Sequence, residues 1–391
     1  MKRSVAALQK MKRKILFISH DSELTGAPKE LFLIIKYIDR ADFEPIVVVG
    51  KDGPLRKKFE EIAETIYQPL YGRGIKYLRE VSLLRARVSL IRYYSPDLIY
   101  CNTIMSTKWL LYGKLLRIPT ICHVHELANV FTSLSSFDRW ILTRFSNHFI
   151  AASQAVQKYL VQHIGIPAES VSVIHECIEV DYHRRRKQHT LFQSIFPAGV
   201  DVIVGIAGRI SFVKGTDLFV QAASIVKQSI DASLRVKFLV VGGVLESDKE
   251  FYKSIISMIE TLGLKSDVII TGYKENVIDY FSMMDIFVMA SREDPFPLVN
   301  LEAMALSLPV VAFEVGGNRE AIENEAGLLI AQMSPEALSK GILQLITDPQ
   351  LRETLGMAGR KRVESLFDIS KNVRRFEEII HHLAKKREKV S

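Results

Sequence analysis

Two runs of short aliphatic segments, each segment followed by a helical pattern, constrain this chain more than any other feature. In the first half they are KILFISH, EPIVVVG, TIYQP, DLIYCNT, PTICHVHE, HFIAAS and SVSVIHE. In the second they are DVIVGIAG, VKFLVVGG, DVIITG, DIFVMAS, PVVAF and GLLI. Nearly continuous Val, Ile and Leu runs alternating with helices mark parallel strands joined by crossover helices and buried on both faces. A polar stretch, DYHRRRKQHTLFQSIFPAG, separates the two runs, and an amphipathic Lys- and Arg-rich pattern closes the chain from about Ile369 to Lys389. At 391 residues the chain exceeds one ordinary core. The expectation is an α/β protein of two doubly wound, Rossmann-like domains facing a central cleft. Residues 1–182 form the first, with a basic tail at 1–13. Residues 183–199 are the linker, 200–368 the second domain and 369–391 a closing helix.

Composition narrows the classes. Apolar residues at 48% and charged residues at 25% suit an ordinary soluble globular chain. Three scattered cysteines (Cys101, Cys122, Cys177) argue for a reducing compartment and against a disulfide framework. No apolar run approaches the roughly 18 residues needed to cross a bilayer, and the N-terminal apolar stretches are too interrupted for a signal peptide. The expected location is the cytoplasm. The formal charge of +8 is concentrated: Lys2, Arg3, Lys10, Lys12, Arg13 and Lys14 open the chain without an acid among them. A second basic stretch, Lys76 to Arg92, interleaves Arg79, Arg85, Arg87 and Arg92 with leucines and valines at helical spacing. Such a helix fits the anionic inner face of a membrane, and equally a solvated helix face. No nucleic-acid-binding motif accompanies the charge. Neither a G-x-G-x-x-G after a first strand nor a Walker-type loop is present, which argues against a plain dinucleotide oxidoreductase or a P-loop NTPase.

The chemistry concentrates in two segments of the second half. In GRISFVKG (Gly208 to Gly215), a buried-type strand runs into a turn carrying Arg209 and Lys214, ahead of a helix. Two cations at a strand-to-helix turn suit a phosphorylated ligand. In SREDPFPLVNLEAMALSLPVV (Ser291 to Val311), a strand enters an acidic, proline-rich turn, and Glu302 lies inside the helix beyond it. A carboxylate inside so apolar a helix is costly unless it finds donors, which ribose hydroxyls or structural N–H groups would supply.

This pair resembles the hallmark of the retaining glycosyltransferases of group 1, which have the GT-B fold: G-R-x(4)-K-G, then E-x(7)-E ahead of an A-M-A helix. The resemblance implies a retaining, hexosyl-type transferase acting on a nucleotide-diphosphate sugar, with no metal and no other cofactor. Arg209 and Lys214 would grip the diphosphate, Glu302 the ribose, and Asp294 the donor sugar. Asp294 stands where the family has glutamate, and Glu293 could substitute by a one-residue shift. Pro295 and Pro297 replace the usual loop glycines, so the amides of Phe296, Leu298 and Val299 remain as donors. Gly208 belongs to the same cradle, and Tyr273 could pack on the nucleobase. The glycine-rich turn of the first domain would be Thr25, Gly26 and Ala27, though Gly26 also reads as an ordinary turn glycine.

His123 and His125 lie two apart on one strand face. An H-x-H pair can bind metal, but no third ligand is spaced to complete a set. The family's donor-sugar histidine matches His125, with His123 as fallback; a core histidine satisfied by backbone is the other reading. G-G-N-R-E (Gly316 to Glu320) resembles a family segment near the sugar, and Cys177 in HECIE replaces a family glycine. The closing helix would cross back onto the first domain. The resemblance implies a glycan or lipid-linked acceptor. A sugar-nucleotide epimerase of the same architecture and a catalytically lost nucleotide-sugar-binding partner protein are the alternatives.

Overall fold

The computed structural model describes residues 12–69, 76–182, 189–323 and 325–388, which divide into two compact units. The first comprises the chain up to Ala152, Val156–Ile174, and everything from Ile369 onward. Its strands are β1 (Arg13–Ser19), β2 (Phe43–Val49), β3 (Glu64–Tyr67), β4 (Leu98–Asn102), β5 (Thr120–Val124), β6 (His148–Ala151) and β7 (Val171–Val173). They form one parallel sheet in the order β3-β2-β1-β4-β5-β6-β7. The seven aliphatic segments of the first half are these strands; β4 and β5 and most of β1, β2 and β6 are buried because helices cover both sheet faces, while the edge strand β3 is half exposed.

The closing helix, Ile369–Glu388, packs on helix Gly26–Tyr37 and buries Ile369, Phe376 and Ile380 in this unit. Arg13 donates from Nη1 to the His381 carbonyl at 3.1 Å, and the His381 ring lies 4.6 Å from that of Phe43. Arg13 therefore begins β1 and does not belong to a tail; residues 1–11 lie outside the described residues.

The basic helix Lys76–Tyr94 departs from expectation in one respect. Arg87 is buried, with its guanidinium 5.3 Å from the Trp109 ring and 5.7 Å from that of Tyr112. The aromatic faces compensate its charge, so the stripe of arginines is not one solvated face. Arg79 lies outside the described side chains, and Arg85 and Arg92 are exposed. No described helix is long and apolar enough to cross a membrane.

The second unit holds Ser153–Ala155 and His175–Asp368. Its strands are β8 (Val202–Ala207), β9 (Val236–Val241), β10 (Val268–Ile270), β11 (Ile286–Met289), β12 (Val310–Phe313) and β13 (Gly327–Ile330), again all parallel, in the order β10-β9-β8-β11-β12-β13. The division falls between Ile174 and His175, ahead of the polar segment. His175 packs on Phe296 and Phe367, and Ile178 donates its N–H to the Phe367 carbonyl at 2.9 Å. The stretch 183–199 is not all loop: His189–Ile195 is helical and Phe196 is buried, following the apolar spacing of Leu191, Phe192, Ile195 and Phe196.

In each sheet the chain reverses its direction of strand addition once, between β1 and β4 and between β8 and β11. At such a switch point adjacent crossovers leave on opposite faces and open a crevice at the strand C-terminal ends, where ligands of these folds bind. The two motif segments of the second half follow β8 and β11; in the first unit Gly26 starts the helix that follows β1, and Asn102 and Thr103 lie at the end of β4.

Candidate active site

In the second unit the loop after β8 and the loop after β11 are locked together. Gly215 has φ 67°, and a Cβ there would lie 1.8 Å from the Ala290 carbonyl oxygen. Only glycine lets the cation loop approach the end of β11 so closely. Lys214 Nζ then lies 2.5 Å from Asp294 Oδ2, across 80 residues of sequence. Asp294 is 3% exposed and also accepts from Ser291 Oγ at 3.4 Å, whereas the Lys214 side chain remains one-third exposed. An ammonium has three donors, so one can be held by the carboxylate while the others face a ligand.

Arg292 was not singled out by sequence, and it binds the two loops more firmly. Its guanidinium makes a bidentate pair with Asp217 at 2.7–2.8 Å, donates to the Phe212 carbonyl at 2.6 Å and lies 3.8 Å from the Phe212 ring centroid. The planar fork suits such a clamp and an ammonium would not. Its signal was one cation directly ahead of the acid pair in SRED. Arg209 is half exposed, with Nε 3.5 Å from Asp248 Oδ2.

The glycine pair after β12 closes the other side. A Cβ on Gly316, at φ 51°, would meet the Asp294 carbonyl oxygen at 1.8 Å, and Gly317 donates its N–H to that oxygen at 3.0 Å. Leu298 and Val299 are the first two residues of helix Leu298–Ala305, where amides lack intrahelical acceptors. Phe296 is buried against His175 and Phe367, so only its backbone is available to a ligand. Glu302 is buried within the same helix. Gly208 has open space where a Cβ would stand, and Tyr273 is exposed beside Gly243, where an added Cβ would lie 3.0 Å from the tyrosine Cβ. Glu320, by contrast, is committed to structure. It accepts from the Gln154 and Ala155 amides at 2.7 and 3.0 Å and pairs with His175 Nε2 at 2.8 Å. Cys177 is buried, its thiol donating to the His175 carbonyl.

In the first unit Asn102, at the end of β4, joins residues that sequence named separately. Its Nδ2 donates to the Ala27 carbonyl at 2.9 Å, and its Oδ1 is 3.0 Å from His125 Nε2. With the amide oriented by Ala27, Oδ1 is the acceptor and His125 Nε2 carries a proton. Helix Gly26–Tyr37 begins at Gly26, so the turn glycine and the histidine share one bracket. Glu126 braces it from beneath, accepting from the His125 amide at 2.9 Å and the Ile104 amide at 3.3 Å. Burial raises the Glu126 carboxyl above its ordinary value despite those bonds. Thr103 sits at φ 85°, a region that a β-branched residue avoids. It is held there by its N–H to the His123 carbonyl at 2.9 Å and by His20 Nδ1 against its hydroxyl at 3.2 Å.

His123 is a core residue and not the fallback ligand. It is fully buried, Nδ1 is 2.7 Å from the Tyr100 hydroxyl, and burial pushes its pKa well below the usual histidine value. The His123 and His125 rings share one face, 3.9 Å apart. Among the described residues no three or more His, Cys, Asp or Glu gather so as to hold a metal ion.

The family model "Glycosyl transferases group 1" matches residues 188–362, and "Glycosyltransferase Family 4" matches 26–182. The chain belongs to the group 1 glycosyltransferases. This glycosyltransferase is 25% identical over 279 residues to the capsular polysaccharide biosynthesis glycosyltransferase CapM of Staphylococcus aureus, covering 71% of this chain and 66% of CapM. It is 32% identical over 154 residues to a D-inositol 3-phosphate glycosyltransferase of Corynebacterium urealyticum, covering 38% of this chain and 36% of that protein. The chain thus matches between about a third and two thirds of these curated relatives' lengths. Anabaena Alr3699/HepE in complex with UDP-glucose superposes with a TM-score of 0.83 at 25% identity, over 95% of this chain and 100% of that one. The seven- and six-stranded parallel sheets are those of a two-domain GT-B fold, the α/β class read from the sequence.

Proposed function

We propose that this glycosyltransferase moves a hexosyl group from a nucleotide-diphosphate sugar to a glycan or lipid-linked acceptor with retention of anomeric configuration. Residues 1–182 serve the acceptor and 200–368 the donor. The nucleotide complexes of HepE support a uridine donor, and the name of CapM supports a polysaccharide acceptor. The observation that carries the reading is Lys214 held by buried Asp294 at the switch point of the second sheet.

As the bond from the anomeric carbon to phosphate oxygen breaks, negative charge grows on the leaving diphosphate. Arg209, Lys214 and the helix-start amides of Leu298 and Val299 stabilise that charge more in the transition state than in the ground state. Asp294 orients the ammonium, which leaves contact with the donor sugar to be shared with Glu293. Glu302 takes the ribose hydroxyls and exposed Tyr273 stacks on the base. In the first unit Gly26 and Ala27 approach the phosphate, and His125 hydrogen-bonds the sugar near the reacting carbon. The acceptor oxygen attacks from the face the diphosphate leaves, and its proton passes to a phosphate oxygen. No protein nucleophile is needed, and two fixed cations serve where other transferases use a metal. The work is done at the cytoplasmic face of a membrane.

The test is release of UDP from UDP-hexoses, with and without a glycan acceptor, and product anomer by NMR. Acceptor-dependent UDP release, an unchanged anomer and a rate indifferent to EDTA are expected. An epimerised donor without acceptor makes the protein an epimerase, and donor binding that raises the melting temperature without turnover makes it a binding partner.

A further inference from the structure

We infer that the outer faces of helices Lys108–Leu115 and Ser136–Phe145 form a membrane-docking surface for anionic lipid. In helix Ser136–Phe145, Ile141 and Leu142 face the core. Phe137, Trp140 and Arg144 recur at helical spacing on the neighbouring stripe, which turns outward, with Phe137 57% and Trp140 49% exposed. The two rings stack at 5.9 Å and 20°, and Trp140 also lies edge-on to Phe145 at 5.0 Å, so both exposed rings belong to one aromatic cluster. Helix Lys108–Leu115 packs alongside, its outer stripe running through Lys108 and Leu111 to Leu115, which is 62% exposed. Trp109 of this helix is turned inward onto Arg87.

Three large apolar side chains on adjoining helices, all near half exposure or above, are more than scattered surface residues. Charge decides the occupant. No acid occurs between Asp97 and Glu126, while Lys108, Lys114 and Arg117 do. Asp138 is the one acid of the second helix, and its carboxylate accepts from Ser135 Oγ at 2.6 Å. Exposed aromatic rings on helices that carry Lys and Arg and a single acid match the boundary between acyl chains and anionic headgroups. This face differs from the arginine stripe of Lys76–Tyr94, whose Arg87 points into the fold. It extends the lipid-linked acceptor reading without depending on it.

The chain contains two tryptophans, Trp109 buried and Trp140 exposed, so a change in emission on adding vesicles reports on Trp140. Full-length protein is titrated with phosphatidylcholine vesicles, with and without phosphatidylglycerol, in the absence of donor and acceptor. A blue shift with anionic vesicles alone, reversed by high salt, is expected. Trp140→Phe should abolish the shift while sedimentation still shows binding. Phe137→Ala with Trp140→Ala should weaken partitioning about tenfold or more, and Arg144→Glu or Lys114→Glu about fivefold each. No binding, or binding unchanged by the aromatic double variant, overturns the assignment. So does a doubled mass by light scattering that the double variant returns to monomer, since a second copy would then cover the face. Vesicle binding combined with use of soluble acceptors only would keep this surface and remove the lipid-linked acceptor.

Discussion

The two units build their sites from different materials. The second unit uses ion pairs and glycines on the loops after β8, β11 and β12, each of which carries its key residues within a few positions. The first uses neutral hydrogen bonds at the ends of β4 and β5, with the Asn102 amide as the hub between the Ala27 carbonyl and the His125 ring. A diphosphate is recognised by charge, which tolerates small displacements, whereas a sugar hydroxyl needs a donor or acceptor placed to a fraction of an ångström. Removing charge should therefore damage the second site most, and removing a bracket should damage the first.

The largest expected effect is Lys214→Ala. Losing one charge-stabilising group costs about 3 kcal/mol, on the order of a hundredfold in kcat, with a smaller change in donor affinity. Normal turnover of UDP-hexose by this variant would remove the diphosphate site. Asn102 comes next. Asn102→Ala should lower kcat about tenfold, since it frees the His125 ring and unties it from Ala27. Asn102→Asp is the sharper probe, because its carboxylate keeps an acceptor for His125 Nε2 but offers no donor to the Ala27 carbonyl. It should retain part of the kcat that Asn102→Ala loses while the donor KM rises, a split that a purely structural role would not produce.

What could be read from the chain follows from the same contrast. All thirteen strands among the described residues were legible, those at the sheet centres because a parallel strand buried on both faces must be a nearly continuous apolar run. Lys214 and its glycine were legible because the close pass of Gly215 at the Ala290 carbonyl admits no side chain. Asn102 and Glu126 were not, since Asn102 reaches Ala27 across 75 residues, Glu126 reaches Ile104 across 22, and an asparagine at a strand end has many uses. Arg87 misled for a related reason. Helical spacing places it among solvated arginines, and Trp109 and Tyr112, 22 and 25 residues on, show where it points. The segment Gly316 to Glu320 resembles one near the sugar, and the sequence did not show that its Glu320 is occupied by two amides and His175.

Arg292 tests whether the second site depends on loop placement as well as charge. Arg292→Ala removes the clamp on Asp217 and Phe212 and leaves Lys214 and Arg209 in place. Stability should fall by about 1 kcal/mol, and the donor KM should rise a few fold with kcat less affected. A double-mutant cycle with Asp217→Asn, read by chemical denaturation, should show coupling; additive losses would mean the pair does not hold the loops.

The smallest effect concerns the brace beneath the first site. Burial raises the Glu126 pKa in the folded protein, so the folded state binds that proton more tightly than the unfolded chain does. The contribution of the group is therefore greatest below its unfolded value near 4.5 and declines as pH rises through the raised folded value. Glu126→Gln does not titrate, so its stability should be flatter across that window. Wild type should lose ground to it as pH rises from about 4 to 7, by about 1.4 kcal/mol for every pH unit that separates the folded from the unfolded value. Urea denaturation of both proteins across that range measures the difference. A gap that widens in favour of wild type with rising pH would mean that the amides of His125 and Ile104 outweigh burial and hold the carboxylate ionised. The first site would then be braced by charge, as the second is, and the contrast between them would narrow.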